Sequence, residues 1–332
     1  MSVQRIVVVG TSSGGVEALR VLAAGLPPDF AAPVCVVIHR HPHSAGLIAE
    51  ILDRSGPLRA HDARPEDRLE NGHIYVAPVD RHLLVEPGQL RLSRGPRENL
   101  SRPAIDPLFR SAAQVYGPAT VGVILTGDLD DGAAGLETIR RLGGVTIVQD
   151  PGDAFAPSMP ENALRYGAAD FLVPLGEIPT VLQRVVERPT AEVTAVQVPR
   201  NVEVEVTIAK EDAVPMEAGL DEIAEPSMIA CPECHGVLLR LKHEQPSRFR
   251  CHTGHAYSAE SLIAALNTGV EESLWGAVRA LEEAGMLLSE LAHLEAHHTG
   301  GANDLRARAR QTEAEAAAIR EILQERSNLQ AR

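Results

Sequence analysis

Short apolar runs alternate with amphipathic stretches of helical length through the first part of the chain. "RIVVVG" precedes "GVEALRVLAAGL", "VCVVIH" precedes "AGLIAEILDRS", "TVGVILTG" precedes "GAAGLETIRRLG", "GVTIVQD" precedes "MPENALRYG", and "ADFLV" precedes "IPTVLQRVVE". The runs are rich in Val and Ile and lack polar alternation, as strands buried on both faces should. The pattern predicts an α/β fold, a doubly wound and mostly parallel sheet with helices on both faces. Between the second and third units, "GHIYVAPVDRHLLVEPGQLRLS" predicts an antiparallel excursion that turns at "EPGQ".

Beyond residue 188 the periodicity fades and acidic residues and prolines accumulate. Residues 189–228 are read as a linker holding one edge strand in "NVEVEVTIA", and 229–257 as a small Cys/His segment. Residues 258–332 predict a helical hairpin, with helices over Ser258–Ala296 and Asp304–Leu329 parted by the turn "HHTGGAND". Leu262, Leu266, Leu274, Val278, Leu281, Leu288 and Leu291 form an apolar stripe on its first helix. That stripe is expected to pack on the second helix, on the Cys/His segment or on a second copy of the chain, so self-association through these helices is one expectation.

The 332 residues, 44% hydrophobic, suffice for a sizeable core. No apolar run approaches the roughly 20 residues that span a bilayer, and the N-terminus lacks a secretory pattern. The expected address is the cytoplasm, without direct membrane insertion. Net charge is −14, which disfavours nucleic acid as a partner. Residues 1–188 carry only −4 of it, and Arg91, Arg94, Arg97, Arg102 and Arg110 outnumber Glu98 and Asp106 locally. Solvated ion pairs account for that region, with an acidic partner as the sharper reading.

The junction "VVVGTSSGG" decides the chemistry. It matches neither G-x-G-x-x-G nor the lysine-containing P-loop, and the second strand ends at His39 where a dinucleotide site prefers an acidic residue. Nucleotide binding is therefore the weaker reading. A hydroxyl after the first strand and an imidazole after the second would meet at the carboxyl edge of the sheet as nucleophile and base. "VILTGDLDDGAAGL" offers Asp128, Asp130 and Asp131 as the orienting carboxylate. Each residue alone has a plainer role: a serine caps a helix, a strand-end histidine is structural, and an aspartate caps or binds a cation. Three reactive types at three strand ends favour the set.

The motifs "VVVGTSSGGVEAL", "IHRHP", "NGHIYVAPVDRHLLV", "RPAIDPLFRSAA", "VILTGDLDDGAAGL" and "MPENAL" stand in the order found in CheB-type chemotaxis protein-glutamate methylesterases. From Arg5 to Val186 the sequence resembles the catalytic domain of that family. The resemblance implies Ser12 as nucleophile, His39 as base and Asp131 as orienting carboxylate. It also implies hydrolysis of glutamate methyl esters on a chemoreceptor-like helical protein, in some members with glutamine deamidation, and no cofactor for catalysis. The oxyanion donors would be the backbone NH groups of Ser13 and Asp128. Family members have "TGMG" where this sequence has "TGDL", which sets a carboxylate beside an anion-stabilising position. They also carry an N-terminal receiver domain, whereas this sequence opens at the first catalytic strand, so control is expected from another segment or not at all.

"CPECHG" and "RFRCHTGHAYS" give C-x₂-C followed by C-x₃-H, spacing suited to tetrahedral zinc. Cys231, Cys234, Cys251 and His255 are the expected ligands of a structural ion, with His252 and His235 as alternatives for the fourth. Cys35 lies alone in an apolar run. The competing functional reading is a weakly active signalling adaptor that works through its Cys/His and helical segment.

Overall fold

The structure, a computed structural model, describes residues 4–40, 46–166, 169–189, 197–244, 246–295 and 301–330. His41 and Pro42 of "IHRHP", residues 190–196 of the expected linker and residues 296–300 of the interhelical turn lie outside these. The chain divides into two compact units, Met1–Leu262 and Ile263–Arg332.

The first unit is built on seven parallel strands: β1 (Ile6–Thr11), β2 (Val34–Ile38), β3 (Arg59–Asp62), β4 (His73–Val76), β7 (Thr120–Ile124), β8 (Val145–Gln149) and β9 (Phe171–Val173). Their order is β3-β4-β2-β1-β7-β8-β9. Side chains of β1 alternate between two cores, which is why both faces had to be apolar. Val7 and Val9 pack with α1 (Gly15–Gly25), α2 (Ile48–Ser55) and α6 (Ile178–Glu187). Ile6 and Val8 pack with α3 (Ile105–Tyr116), α4 (Ala133–Arg141) and α5 (Ser158–Arg165). The chain winds outward from β1 in both directions, so the crevice of the topological switch opens at the carboxyl ends of β2, β1 and β7.

Two expectations change. The antiparallel excursion begins later than its pattern suggested: β4 joins the parallel sheet, β3 pairs beside it, and only β5 (His82–Glu86) and β6 (Gln89–Ser93) form a hairpin, turning at Gly88. The edge strand in "NVEVEVTIA" is a helix, α7 (Arg200–Lys210). It packs on α3 and β6 and buries Val202, Val204, Val206, Ile208 and even Glu205, which meets Arg248 and Arg250. Tertiary burial and ion pairing override the β-branched composition.

After α8 (Leu220–Ile223), strands β10 (Ala224–Ala230), β11 (Val237–Leu241), β12 (Arg248–Cys251) and β13 (Ala256–Ser258) form an antiparallel sheet. This sheet belongs to the same compact unit as the α/β core. The predicted helical hairpin follows as α9 (Ala259–Leu294) and α10 (Ala302–Gln330).

Within the second unit the seven-residue spacing of Val278, Gly285 and Ala292 matches that of Ala309, Ala316 and Leu323, all buried. A Cβ on Gly285 would come within 2.9 Å of Thr312 Oγ1, so the missing side chain permits a close helix approach. Of the predicted stripe Val278 is buried, Leu274, Leu281 and Leu288 are half-buried, and Leu266 and Leu291 are exposed.

Candidate functional site

Ser12 sits one residue past β1, in the turn that opens α1. Thr11 and Ile38 are paired partners in neighbouring strands, so Ser12 and His39 are the next residues along each. The His39 amide donates to Thr11 O at 3.2 Å, and the Ser12 amide donates to Thr126 O at 3.0 Å, tying the serine to the strands on either side. Gly14 follows with φ 76°, and a Cβ there would lie 2.7 Å from Phe155 Cβ. Gly127 is equally confined, since a Cβ there would fall 2.9 Å from Ser12 Cβ and 2.6 Å from Met159 Cε. Glycine at both positions lets the turns close around the serine.

Two of the sequence-predicted side chains meet, and Ser12 lies at the end of the strand between them. His39 Nε2 lies 2.7 Å from Asp131 Oδ2, and Asp131 is 2% exposed. The same Oδ2 accepts the Ile105 amide at 2.7 Å, while Oδ1 accepts Asn99 Nδ2 at 2.8 Å. Burial by itself would raise the Asp131 pKa, yet the hydrogen bond and charge of His39, with the Ile105 amide and Asn99, hold it below the ordinary carboxylate value. An ionised Asp131 requires a proton on His39 Nε2 and leaves Nδ1 as the nitrogen able to accept one.

Two further carboxyls adjoin it. Burial, then the charge of Asp131, pushes Asp106 up to about 6. Burial pushes Asp130 up to about 7, although the Ser258 hydroxyl donates to it at 2.6 Å. The three neighbours therefore differ in charge near neutral pH, with Asp131 the firmest anion.

Among the described residues, no hydrogen bond engages the Ser13 or Asp128 amide. The side chain of Asp128 is exposed and accepts a hydrogen bond from the Ser13 hydroxyl. The Asp128 carboxylate thus stands directly beside Ser13, the neighbour of Ser12. Of the basic cluster noted in the sequence, Arg110 is buried against Glu98 and Asp106, Arg102 binds Asp80, and Arg91 binds Asp212 and Glu86. Those three arginines are committed within the chain.

The ligand atoms of Cys231, Cys234, Cys251 and His255 lie within 4.8 Å of one another. Cys234 Sγ to Cys251 Sγ is 3.6 Å, and His255 Nδ1 is 3.8 Å from Cys231 Sγ and 3.6 Å from Cys251 Sγ. Zinc–sulfur bonds of about 2.3 Å in a tetrahedron put the ligands roughly 3.8 Å apart, so the residues fit the ion. His255 Nε2 lies 3.5 Å from Glu233, the carboxylate partner that fixes a metal-binding imidazole. The alternatives His252 and His235 are not in the cluster. Cys35 stays apart, buried, its thiol pushed up by burial.

Sequence reasoning missed Asn99, Ser258 and Ser261, which surround the Asp130–Asp131 turn. Asn99 Oδ1 accepts the Ser258 amide at 2.9 Å and the Ser261 hydroxyl at 3.0 Å. No local pattern announces an asparagine whose partners lie 159 and 162 positions away.

A doubly wound sheet that carries a serine, an imidazole and a buried carboxylate at three adjacent strand ends has a layout suited to serine-type hydrolysis. Residues 7–182 match the CheB methylesterase family, and the chain belongs to it. A protein of Anaeromyxobacter dehalogenans named protein-glutamate methylesterase/protein-glutamine glutaminase 2 is 41% identical over 178 residues, 54% of this chain and 52% of that protein. A Leptospira interrogans protein, whose name assigns the same two activities provisionally, is 38% identical over 52% of this chain and 90% of its own length. The chain thus spans about half of the first relative. The crystal structure of the Thermotoga maritima CheB methylesterase catalytic domain aligns with TM-score 0.53 and 33% identity, covering 55% of this chain and 98% of that domain.

Proposed function

We propose that the chain is a protein-glutamate methylesterase acting on methylated chemoreceptor-like helical proteins through Ser12, His39 and Asp131. The observation that carries this reading is the buried Asp131 carboxylate 2.7 Å from His39 Nε2, on the strand neighbouring Ser12. His39 Nδ1 takes the Ser12 hydroxyl proton as Oγ attacks the ester carbonyl carbon. The Ser13 and Asp128 amides meet the oxyanion, the imidazolium returns its proton to the methoxy oxygen, and methanol leaves. Water, deprotonated by the same imidazole, then attacks the acyl-serine and frees the glutamate. A glutamine side chain would follow the same course with ammonia leaving.

The chemistry needs no cofactor. The Cys231, Cys234, Cys251 and His255 set would hold a zinc ion, whose role when bound would be structural closure of the small sheet. Self-association through the terminal helices and a cytoplasmic address belong to the same reading. Among the described residues no helix is long and apolar enough to cross a membrane.

The test is methanol release from a methylated receptor signalling fragment. Wild type should release methanol, and Ser12→Ala and His39→Ala should stop it. Asp128, its carboxylate held by Ser13, is the observation that favours the second reading, a signalling adaptor with little turnover. Release by wild type no faster than by Ser12→Ala would establish that reading instead.

A further inference from the structure

The small antiparallel sheet reaches the Asp131 carboxylate through Asn99. Residues 97–99 run alongside β13 as a partial extra strand: the Ala256 amide donates to Arg97 O at 3.1 Å and the Asn99 amide to Ala256 O at 2.8 Å. Asn99, held there, gives its side-chain NH₂ to Asp131 and accepts from Ser258 and Ser261. Ser258 also donates to Asp130, and Glu260 accepts from Asn162 at 2.7 Å, whose amide also donates to Leu129 O at 2.9 Å. Every residue from Leu129 to Asp131 is therefore gripped by a partner that the segment 256–261 either provides or positions.

The Cys/His cluster adjoins that segment in the chain. The Cys251–His255 loop joins β12 to β13, and His255 immediately precedes Ala256. Within it the Cys251 amide donates to His255 O at 3.0 Å, and Arg250 donates to Gly254 O at 2.8 Å while pairing with Glu98 at 2.8 Å. Displacing this loop would move β13 and with it the only side-chain amide on Asp131 among the described residues.

We propose that the Cys/His sheet is a built-in positioning element of the esterase site, in which zinc closure of the 251–255 loop fixes β13, and β13 through Asn99 fixes Asp131. Asn99 is a positioning residue, and metal occupancy governs the catalytic rate without the ion approaching the reacting atoms. The inference rests on the esterase reading for its kinetic consequence. Its structural consequence stands without it.

The experiment uses the full chain, zinc-loaded and after treatment with 1,10-phenanthroline, with zinc measured by atomic emission. Reaction of Ser12 with phenylmethanesulfonyl fluoride is followed by mass, hydrolysis of p-nitrophenyl acetate by absorbance, and hydrogen exchange by peptide. One zinc per chain is expected. Its removal should speed exchange across 97–106 and 128–133, slow Ser12 labelling and hydrolysis about 10-fold or more, and be reversed by added zinc. Asn99→Ala should keep its zinc, lose a similar factor in kcat with KM within about twofold, and lose less on chelation than wild type does, because the two changes share the Asn99–Asp131 bond. Ser258→Ala should move exchange and kcat in the same direction to a smaller extent.

Unchanged exchange and rate after verified zinc loss would overturn the proposal. So would equal further losses on chelating wild type and Asn99→Ala. A zinc-loaded wild type that neither labels at Ser12 nor hydrolyses ester would defeat the esterase reading alone, and the exchange response would still decide the positioning role.

Discussion

The Asp131 carboxylate meets His39 Nε2 at 2.7 Å across 92 positions of sequence, from the far side of the strand that carries Ser12. The hydrogen bond and charge of His39, with the Ile105 amide and Asn99, outweigh burial and hold the carboxylate ionised, and an ionised acceptor places the proton on Nε2. Asp131→Asn keeps the shape but can present an NH₂ where Nε2–H needs an acceptor. The expected loss in kcat is on the order of 10³- to 10⁴-fold with KM nearly unchanged, read from methanol release. A loss under tenfold would remove Asp131 from the mechanism.

Asp128 predicts a gain. Its carboxylate, bonded to the Ser13 hydroxyl, places negative charge near the amides that would receive the oxyanion. Asp128→Asn retains an acceptor for Ser13 and removes the charge, so kcat should rise about 3- to 10-fold, the modest factor reflecting an exposed group. Stopped-time assays of wild type and variant at low and high salt would show it. A fall in rate would mean that the carboxylate assists.

Stability should decline with rising pH in a defined window. Asp130, raised to about 7, and Asp106, raised to about 6, bind protons more tightly folded than unfolded. Their contribution is present below the ordinary aspartate range and is lost as pH rises toward 7. Asp131 has the opposite sign, its lowered value withdrawing stability only in acid. Denaturant midpoints should therefore drop between pH 5 and 8 in wild type and drop less in Asp130→Asn. Parallel curves would show that Asp130 does not titrate there.

Glu205 is fully buried and pairs with Arg248 at 2.5 Å and Arg250 at 2.9 Å, with Arg110 at 3.9 Å. Glu205→Ala takes the carboxylate partner from buried Arg248 and leaves Arg250 and Arg110 to share Glu98, with Asp106 near Arg110, and should destabilise the first unit by about 3 to 5 kcal/mol in chemical denaturation. Glu205→Gln, which keeps hydrogen-bonding oxygen but no charge, should cost less. A neutral effect of both would mean that water reaches the cluster.

The sequence by itself determined β1, β2, β7, β8 and β9, the turns after them and the reactive residues those turns carry. Paired burial on two faces forces a continuous apolar run, and a turn that must close around a serine forces glycine, so Ser12, His39 and the "DLDDG" turn were readable in place. The Cys/His set was readable for a similar local reason, since its members come as two closely spaced pairs, C-x₂-C and C-x₃-H. Tertiary structure alone decided that α7 is a helix, because Glu205 finds its partners in β12 and its valines find α3. It also decided that Asn99 touches Asp131 and that Ser258 and Ser261 hold Asn99. Those contacts join residues too far apart in sequence to leave a periodic trace, and only the pairing of residues 97–99 with β13 brings them together.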